Sequence, residues 1–331
     1  MHLASTSATL PEKILRDLRI EDEDGDYYAA TGITLSFMYA QHMEAMVEVF
    51  RQMVEVFSDY MHPLALDSKC RDEWTDYTPK QLKRLLNRFC SYSKYGEEMV
   101  LAKLDADSPF QYFGEFGVRI MGVSENDTSF AKTDVCAAYF EMPMHEVQRV
   151  GRDKVLQLAR SIAALAPFQH GMCGYSFKYF HREGSDKIHR WMGDKGLRYF
   201  AVHPFMNKYE YYCRHELPNV NWITLLGKEM TDKLGGAATI RKGLSEAVEV
   251  ETLPHGTILV AGQMPPLGDR NALALDLGPL REVAKLTRPV SMEVLDREEL
   301  VHILSYIFEG EDVETRTERW LNRFDRKPGM D

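Results

Sequence analysis

Cysteine is scarce. The chain has five, Cys70, Cys90, Cys136, Cys173 and Cys213, an odd number at wide spacings with no C-x-x-C. That argues against a disulfide framework or a zinc site, and predicts reduced, mostly buried thiols in a cytoplasmic protein. Long apolar runs are missing as well: none approaches the ~18 residues of a membrane span. The opening MHLASTSATLPEK has no basic stretch followed by an apolar core, so no secretory signal is read there. Positive charge is in deficit, 40 Lys and Arg against 50 Asp and Glu, for a formal net charge of −10. Direct nucleic-acid binding wants a basic face, so this balance speaks against it and permits a basic protein partner, which many acidic proteins do not have.

Catalytic arrangements are also lacking. No G-x-x-x-x-G-K-[ST] occurs, no G-x-G-x-x-G follows a strand, and H-E-x-x-H and G-x-S-x-G are absent. His181-Arg182-Glu183 matches the H-x-E of zinc deaminases, but no P-C-x-x-C follows to complete the metal site. The eleven histidines share no ligand spacing. No catalytic, cofactor-binding or metal residue is assigned. A Cys–His or Ser–His pair assembled only in three dimensions stays open.

What is present is a well-patterned mixture of helix and strand. Tyr28 to Tyr39 reads as a strand, with Ile33, Leu35 and Phe37 alternating with small or polar residues. Gln41 to Tyr60 is the clearest helix. Met43, Met46, Val47, Phe50, Met53, Val54 and Phe57 form its apolar stripe. Glu44, Glu48, Glu55 and Asp59 recur on another side with Arg51 between them, which makes an acidic face. A second helix, through Lys80 to Tyr92, carries a small basic cluster. Phe113 to Val123 and Asp134 to Met142 read as paired strands, Met144 to Ala166 as a long helix, and Gly171 to Tyr179 as a strand. Ser185 to Trp191 is a short helix. Further strands are placed near Leu197 to Val202, Val220 to Leu226, Thr239 to Arg241 and Thr257 to Ala261. Helices are placed at Lys228 to Leu234, Pro279 to Leu286, Arg297 to Phe308 and around Trp320 and Phe324. The predicted fold is α+β: two packed subdomains with mainly antiparallel sheets, the first half like a ferredoxin-type split βαβ with a helical insertion. The boundaries run as a flexible acidic tail over 1–26, an N-terminal subdomain over 27–184 and a C-terminal one over 185–325.

The most distinctive stretch is Leu217 to Asp269. Asn221-Trp222 is followed by Leu226-Gly227 and by Leu234-Gly235-Gly236. An apolar strand then ends in Ala261-Gly262, with Pro266-Leu267-Gly268-Asp269 after it. These residues resemble the signature of bacterial type VI secretion immunity proteins of the TsiV-like family, chiefly over the C-terminal half. Glycine pairs, prolines and a strand tryptophan are parts a fold uses to turn corners and fill a core, so Asn221, Trp222, Gly227, Gly235, Gly236, Gly262, Pro266 and Gly268 are read as structural. Asp269 is read as a turn or cap residue. The resemblance implies a non-enzymatic cytoplasmic protein with no cofactor, partnered with a type VI nuclease effector of the VRR-NUC or Tox-REase kind. Candidate contacts are the acidic face of Glu44, Glu48, Glu55 and Asp59, joined by Tyr209, Tyr211 and Tyr212 from an aromatic cluster. The competing readings are a soluble hydrolase-like enzyme with a site assembled in the fold, and a scaffold protein of the secretion locus.

Overall fold

The computed structural model describes residues 12–61, 67–70, 73–76, 98–102, 113–122, 136–179, 185–203, 216–272, 277–291 and 312–325. A short helix α1 (Glu12–Asp17) and strand β1 (Arg19–Glu21) open the chain. Part of the expected acidic tail is thus tied down: Leu18 is buried, and its carbonyl accepts the Thr31 amide at 2.9 Å. Strand β2 (Tyr27–Tyr39) and helix α2 (Met43–Met61) follow. Next come β3 (Asp67–Cys70), β4 (Glu73–Asp76), β5 (Glu98–Ala102), β6 (Gly117–Met121) and β7 (Cys136–Pro143). Helices α3 (Glu146–Val150) and α4 (Arg152–Ala163), strand β8 (His170–Tyr179) and helix α5 (Ser185–Arg198) complete the first half. The second half runs β9 (Ile223–Gly227), α6 (Lys228–Lys233), α7 (Ala237–Lys242), β10 (Val248–Leu253), β11 (Gly256–Ala261), α8 (Gly278–Thr287) and α9 (Val313–Leu321).

These strands join in one sheet of order β10-β11-β9-β8-β2-β7-β6-β5-β3-β4, with β1 alongside β2. Every named pairing is antiparallel. The mixed α+β class and the antiparallel pairing agree with the sequence reading. Strands from both halves meet at β8 and β9, where Cys173 lies opposite Ile223.

Strand β2 is the longest and sits mid-sheet, because it is buried on both faces from Ala29 onward. Ile33, Leu35, Phe37 and Tyr39 point to one side, where they meet Phe50, Met53 and Phe57 of α2 and Val155, Ala159 and Ile162 of α4 in the main core. Gly32, Thr34, Ser36 and Met38 point to the other, where polar side chains gather. A second core under the C-terminal strands packs Leu226 and Leu259 against Met230, Ile240, Leu280, Val283 and Phe324.

Several local expectations are corrected. Leu197 to Val202 is not a strand: Arg198 ends α5, the Tyr199 amide bonds back to the Lys195 carbonyl at 2.7 Å, and only isolated bridges follow. The apolar residues there serve helix and turn packing, which a short run cannot distinguish from alternation. Thr239 to Arg241 lies in helix α7, started by Gly236 at φ 85°. The helix expected over Met144 to Ala166 is split, since Gly151 at φ 90° lies outside helical space. Strand β10 adds an element that the sequence reading lacks, although Val-Glu-Val-Glu-Thr-Leu alternates. The helices expected over Lys80 to Tyr92 and Arg297 to Phe308 lie outside the described residues.

Candidate interaction surface

Helix α2 presents the predicted acidic side. Its apolar stripe, including Met46, Phe50, Met53 and Phe57, is buried, which turns the charged positions outward. Glu48 and Asp59 are exposed, while Glu44 and Glu55 are partly covered. The helix also brings a cation into the row. Arg51 donates to Glu48 through Nε at 3.0 Å and Nη2 at 2.6 Å, and to Glu55 through Nη1. Those bonds raise the Arg51 pKa, the Glu48 hydrogen bond contributing most. The face therefore carries two carboxylates clamped on one guanidinium, not four independent charges. Tyr209, Tyr211 and Tyr212 lie outside the described residues.

The signature residues form one structural unit around the start of β9. The Asn221 side chain accepts the Trp222 amide at 2.8 Å, and its Nδ2 donates to the Tyr175 carbonyl at 3.5 Å. Gly174 on β8 makes room for it, since a Cβ there would lie 2.0 Å from Asn221 Oδ1. Trp222 is fully buried, and its Nε1 donates to the Gly262 carbonyl at 3.1 Å. Gly227 faces the Phe168 carbonyl, 2.1 Å from where a Cβ would stand. Gly235, Gly236, Gly262 and Gly268 all have positive φ. The loop after β11, which contains the half-buried Pro266, is braced from outside: Gly268 and Leu267 carbonyls accept the Phe200 and Ala201 amides at 3.0 and 3.1 Å. Asp269 bonds its own turn at the Asn271 amide, 3.0 Å away, and also receives Arg198 Nε at 3.1 Å and Nη2 at 3.2 Å.

The comparisons bear on this unit. The family model described as type VI immunity for VRR-NUC, TsiV, matches residues 42–324. The chain belongs to the TsiV family. No curated protein matches it. Among solved structures, a Pseudomonas aeruginosa T6SS protein, PA0821, shares the fold with a TM-score of 0.73 at 16% identity, covering 93% of this chain and 87% of that one.

The TsiV-family chain also holds polar clusters that sequence reasoning did not find. Asp17 of α1 accepts Arg198 Nη1 at 2.6 Å, the Tyr199 hydroxyl at 2.7 Å, and Lys195 Nζ. Burial alone would raise the Asp17 pKa, but the hydrogen bonds and charges of Lys195, Tyr199 and Arg198 outweigh it and hold the group below its ordinary value. Arg198 thus bridges α1 to the signature residue Asp269. On the polar side of the sheet, Arg119 Nε donates to Glu141 at 2.7 Å, and buried Lys178 donates to the Gly114 and Glu115 carbonyls at 3.1 and 2.7 Å. Desolvation pulls Lys178 down to about 8. Most of these partners stand 60 or more residues apart, and Arg119 and Glu141 lie 22 apart on different strands, so neither cluster leaves a local pattern in the sequence.

Two groups that could serve a hydrolase, Cys173 and His203, are buried. Burial pushes the Cys173 thiol well up, and burial followed by the charge of Arg323 pulls His203 down to about 3. At neutral pH these are a thiol and a neutral imidazole, neither of them exposed. The described cavities lie elsewhere. One of about 60 Å³ touches Leu217, Asn219, Arg288 and Phe324; a wider one follows Arg241, Glu246, Glu249 and Glu251. Neither is lined by histidine or cysteine. Among the described residues no group of His, Cys, Asp or Glu could hold a metal ion, and no helix is long and apolar enough to cross a membrane.

Proposed function

We propose that this chain binds a cognate type VI VRR-NUC effector in the cytoplasm of the cell that makes both, and neutralises it by covering a surface the nuclease needs, with no reaction of its own. The observation that carries this reading is the family match across residues 42–324. The physical case is consistent with it. A nuclease must hold a polyanion, so its working surface is basic, and a chain of net charge −10 is drawn to it. Neutralising so harmful a partner demands slow release more than fast docking.

In this reading Glu48 and Asp59 of α2 meet basic groups of the effector, Glu44 and Glu55 support them, and Tyr209, Tyr211 and Tyr212 add aromatic contact. The test is co-purification with a VRR-NUC effector from the same cell, and survival on co-expression. If α2 steers docking, converting Glu48 and Asp59 to lysine slows association and weakens its dependence on salt. Unchanged association rates would remove α2 from the interface. Cells killed by the effector as readily with the chain as without it would refute neutralisation itself.

A further inference from the structure

One end of the sheet is an open edge with unusual dressing. Strand β10 pairs with β11 on one side, and no described strand pairs with its other side. The register fixes which backbone groups face outward. The Gly262 amide bonds the Ala247 carbonyl, so Glu249, Glu251 and Leu253 share the inward set, and Val248, Val250 and Thr252 turn their amides and carbonyls away from β11. The outward Val248 amide is taken by the Ser245 carbonyl at 3.1 Å, and the Val250 carbonyl by Arg241 of α7. The outward amides of Val250 and Thr252 are not taken by any described residue. Exposed edges of this kind are normally blunted, because they template pairing with another chain. Here the blunting covers part of the edge, through the Ser245 carbonyl and one exposed arginine, Arg241.

We propose that the outer edge of β10 receives an extended, basic segment of the nuclease effector as an added antiparallel strand, a reading that rests on the neutralisation function above. The charge on the edge selects the occupant. Glu249 and Glu251 project to one face beside it, held by Arg152 and Arg160 at 2.7 Å yet still about half exposed, and Glu246 is exposed at its start. A second copy of this chain pairing edge to edge would set Glu249 against Glu251 on the same face, which like-charge repulsion opposes. A strand with lysine or arginine at every second position sets cations there instead. Its alternate residues would lie over Val248, Val250 and Leu244 beside α7, where the wider cavity leaves room. The incoming strand's amide replaces Arg241 on the Val250 carbonyl, and its carbonyls take the Val250 and Thr252 amides. The braced loop after β11 fixes the near end: Gln263 Nε2 reaches Glu249 at 3.4 Å, and Met264, 41% exposed, stands next to it as an apolar contact.

The test pairs hydrogen exchange with binding kinetics, using the full chain and the VRR-NUC domain that co-purifies with it. In the complex, the Val250 and Thr252 amides should become protected. Thr252→Pro removes an outward donor and leaves the β11 ladder intact, so it should quicken dissociation about tenfold with unchanged circular dichroism. If that variant fails to fold, exchange on the wild-type chain decides alone. A complex that forms with those amides still exchanging freely, or with Thr252→Pro binding as wild type, overturns the edge proposal and leaves neutralisation standing. Protection that appears with rising protein concentration and no effector assigns the edge to a second copy and also overturns it. Absence of any complex with the wild-type chain overturns both readings.

Discussion

Single residues in this chain are constrained by what stands opposite them. Gly174→Ala would drive a Cβ into the Asn221 side chain, which has packed neighbours and bonds Trp222 and Tyr175. A loss of about 1–3 kcal/mol follows from overpacking, read as a lower denaturation midpoint. Gly236→Ala meets nothing within 4 Å, so its cost is the backbone strain at φ 85° alone, about 1 kcal/mol. A glycine in sequence does not tell the two cases apart: only its surroundings show which lacks space and which lacks a permitted φ. Lys178 gives a pH prediction. Its pKa falls from 10.5 to about 8 on folding because burial penalises the ammonium. Between those values the unfolded chain binds more protons, so the lysine's contribution to stability rises with pH. Comparing wild type with Lys178→Met between pH 8 and pH 9 isolates it from Cys173, whose raised pKa acts equally in both proteins. The wild type should gain stability relative to the variant across that interval; parallel curves would place the titration elsewhere.

Elements are legible where their period is long and sustained. Helix α2 was read nearly to its ends because its stripe runs five turns, and the same stripe is now its anchor. Phe50 is fully buried and meets the Tyr39 ring edge-on at 6.1 Å, so Phe50→Ala should cost about 3–5 kcal/mol in chemical unfolding. Short elements misled. Strand β10 is hidden between two turns, and α7 reads as a strand because Thr-Ile-Arg carries β-branched residues whose preference the tertiary setting overrides. Helix α1 is too short to persist alone, and Asp17 fastens it to α5. Asp17→Ala should release it, seen as faster hydrogen exchange over residues 12–17. With the Asp17 pKa depressed, the contact is present above the ordinary carboxylate range and is lost as pH falls through the folded value.

At the scale of the molecule, the sheet is continuous through both halves of the chain, with helices on either side. The family signature sits where the halves meet, and it stitches β9, β11 and the loop after β11 to α5. That explains why the signature identified the family more readily than a site: its residues hold the frame. The surfaces that could meet an effector, the α2 carboxylates and the β10 edge, depend on exposure and on long-range ion pairs that no local motif encodes. The central claim is that this chain acts by stoichiometric cover. It is tested most directly by titrating the purified VRR-NUC effector with the chain while following DNA cleavage and DNA binding together. Under stoichiometric cover both fall in parallel and vanish at a fixed molar ratio. Inactivation by a small fraction of an equivalent, or a saturated complex that still cleaves DNA, would contradict it.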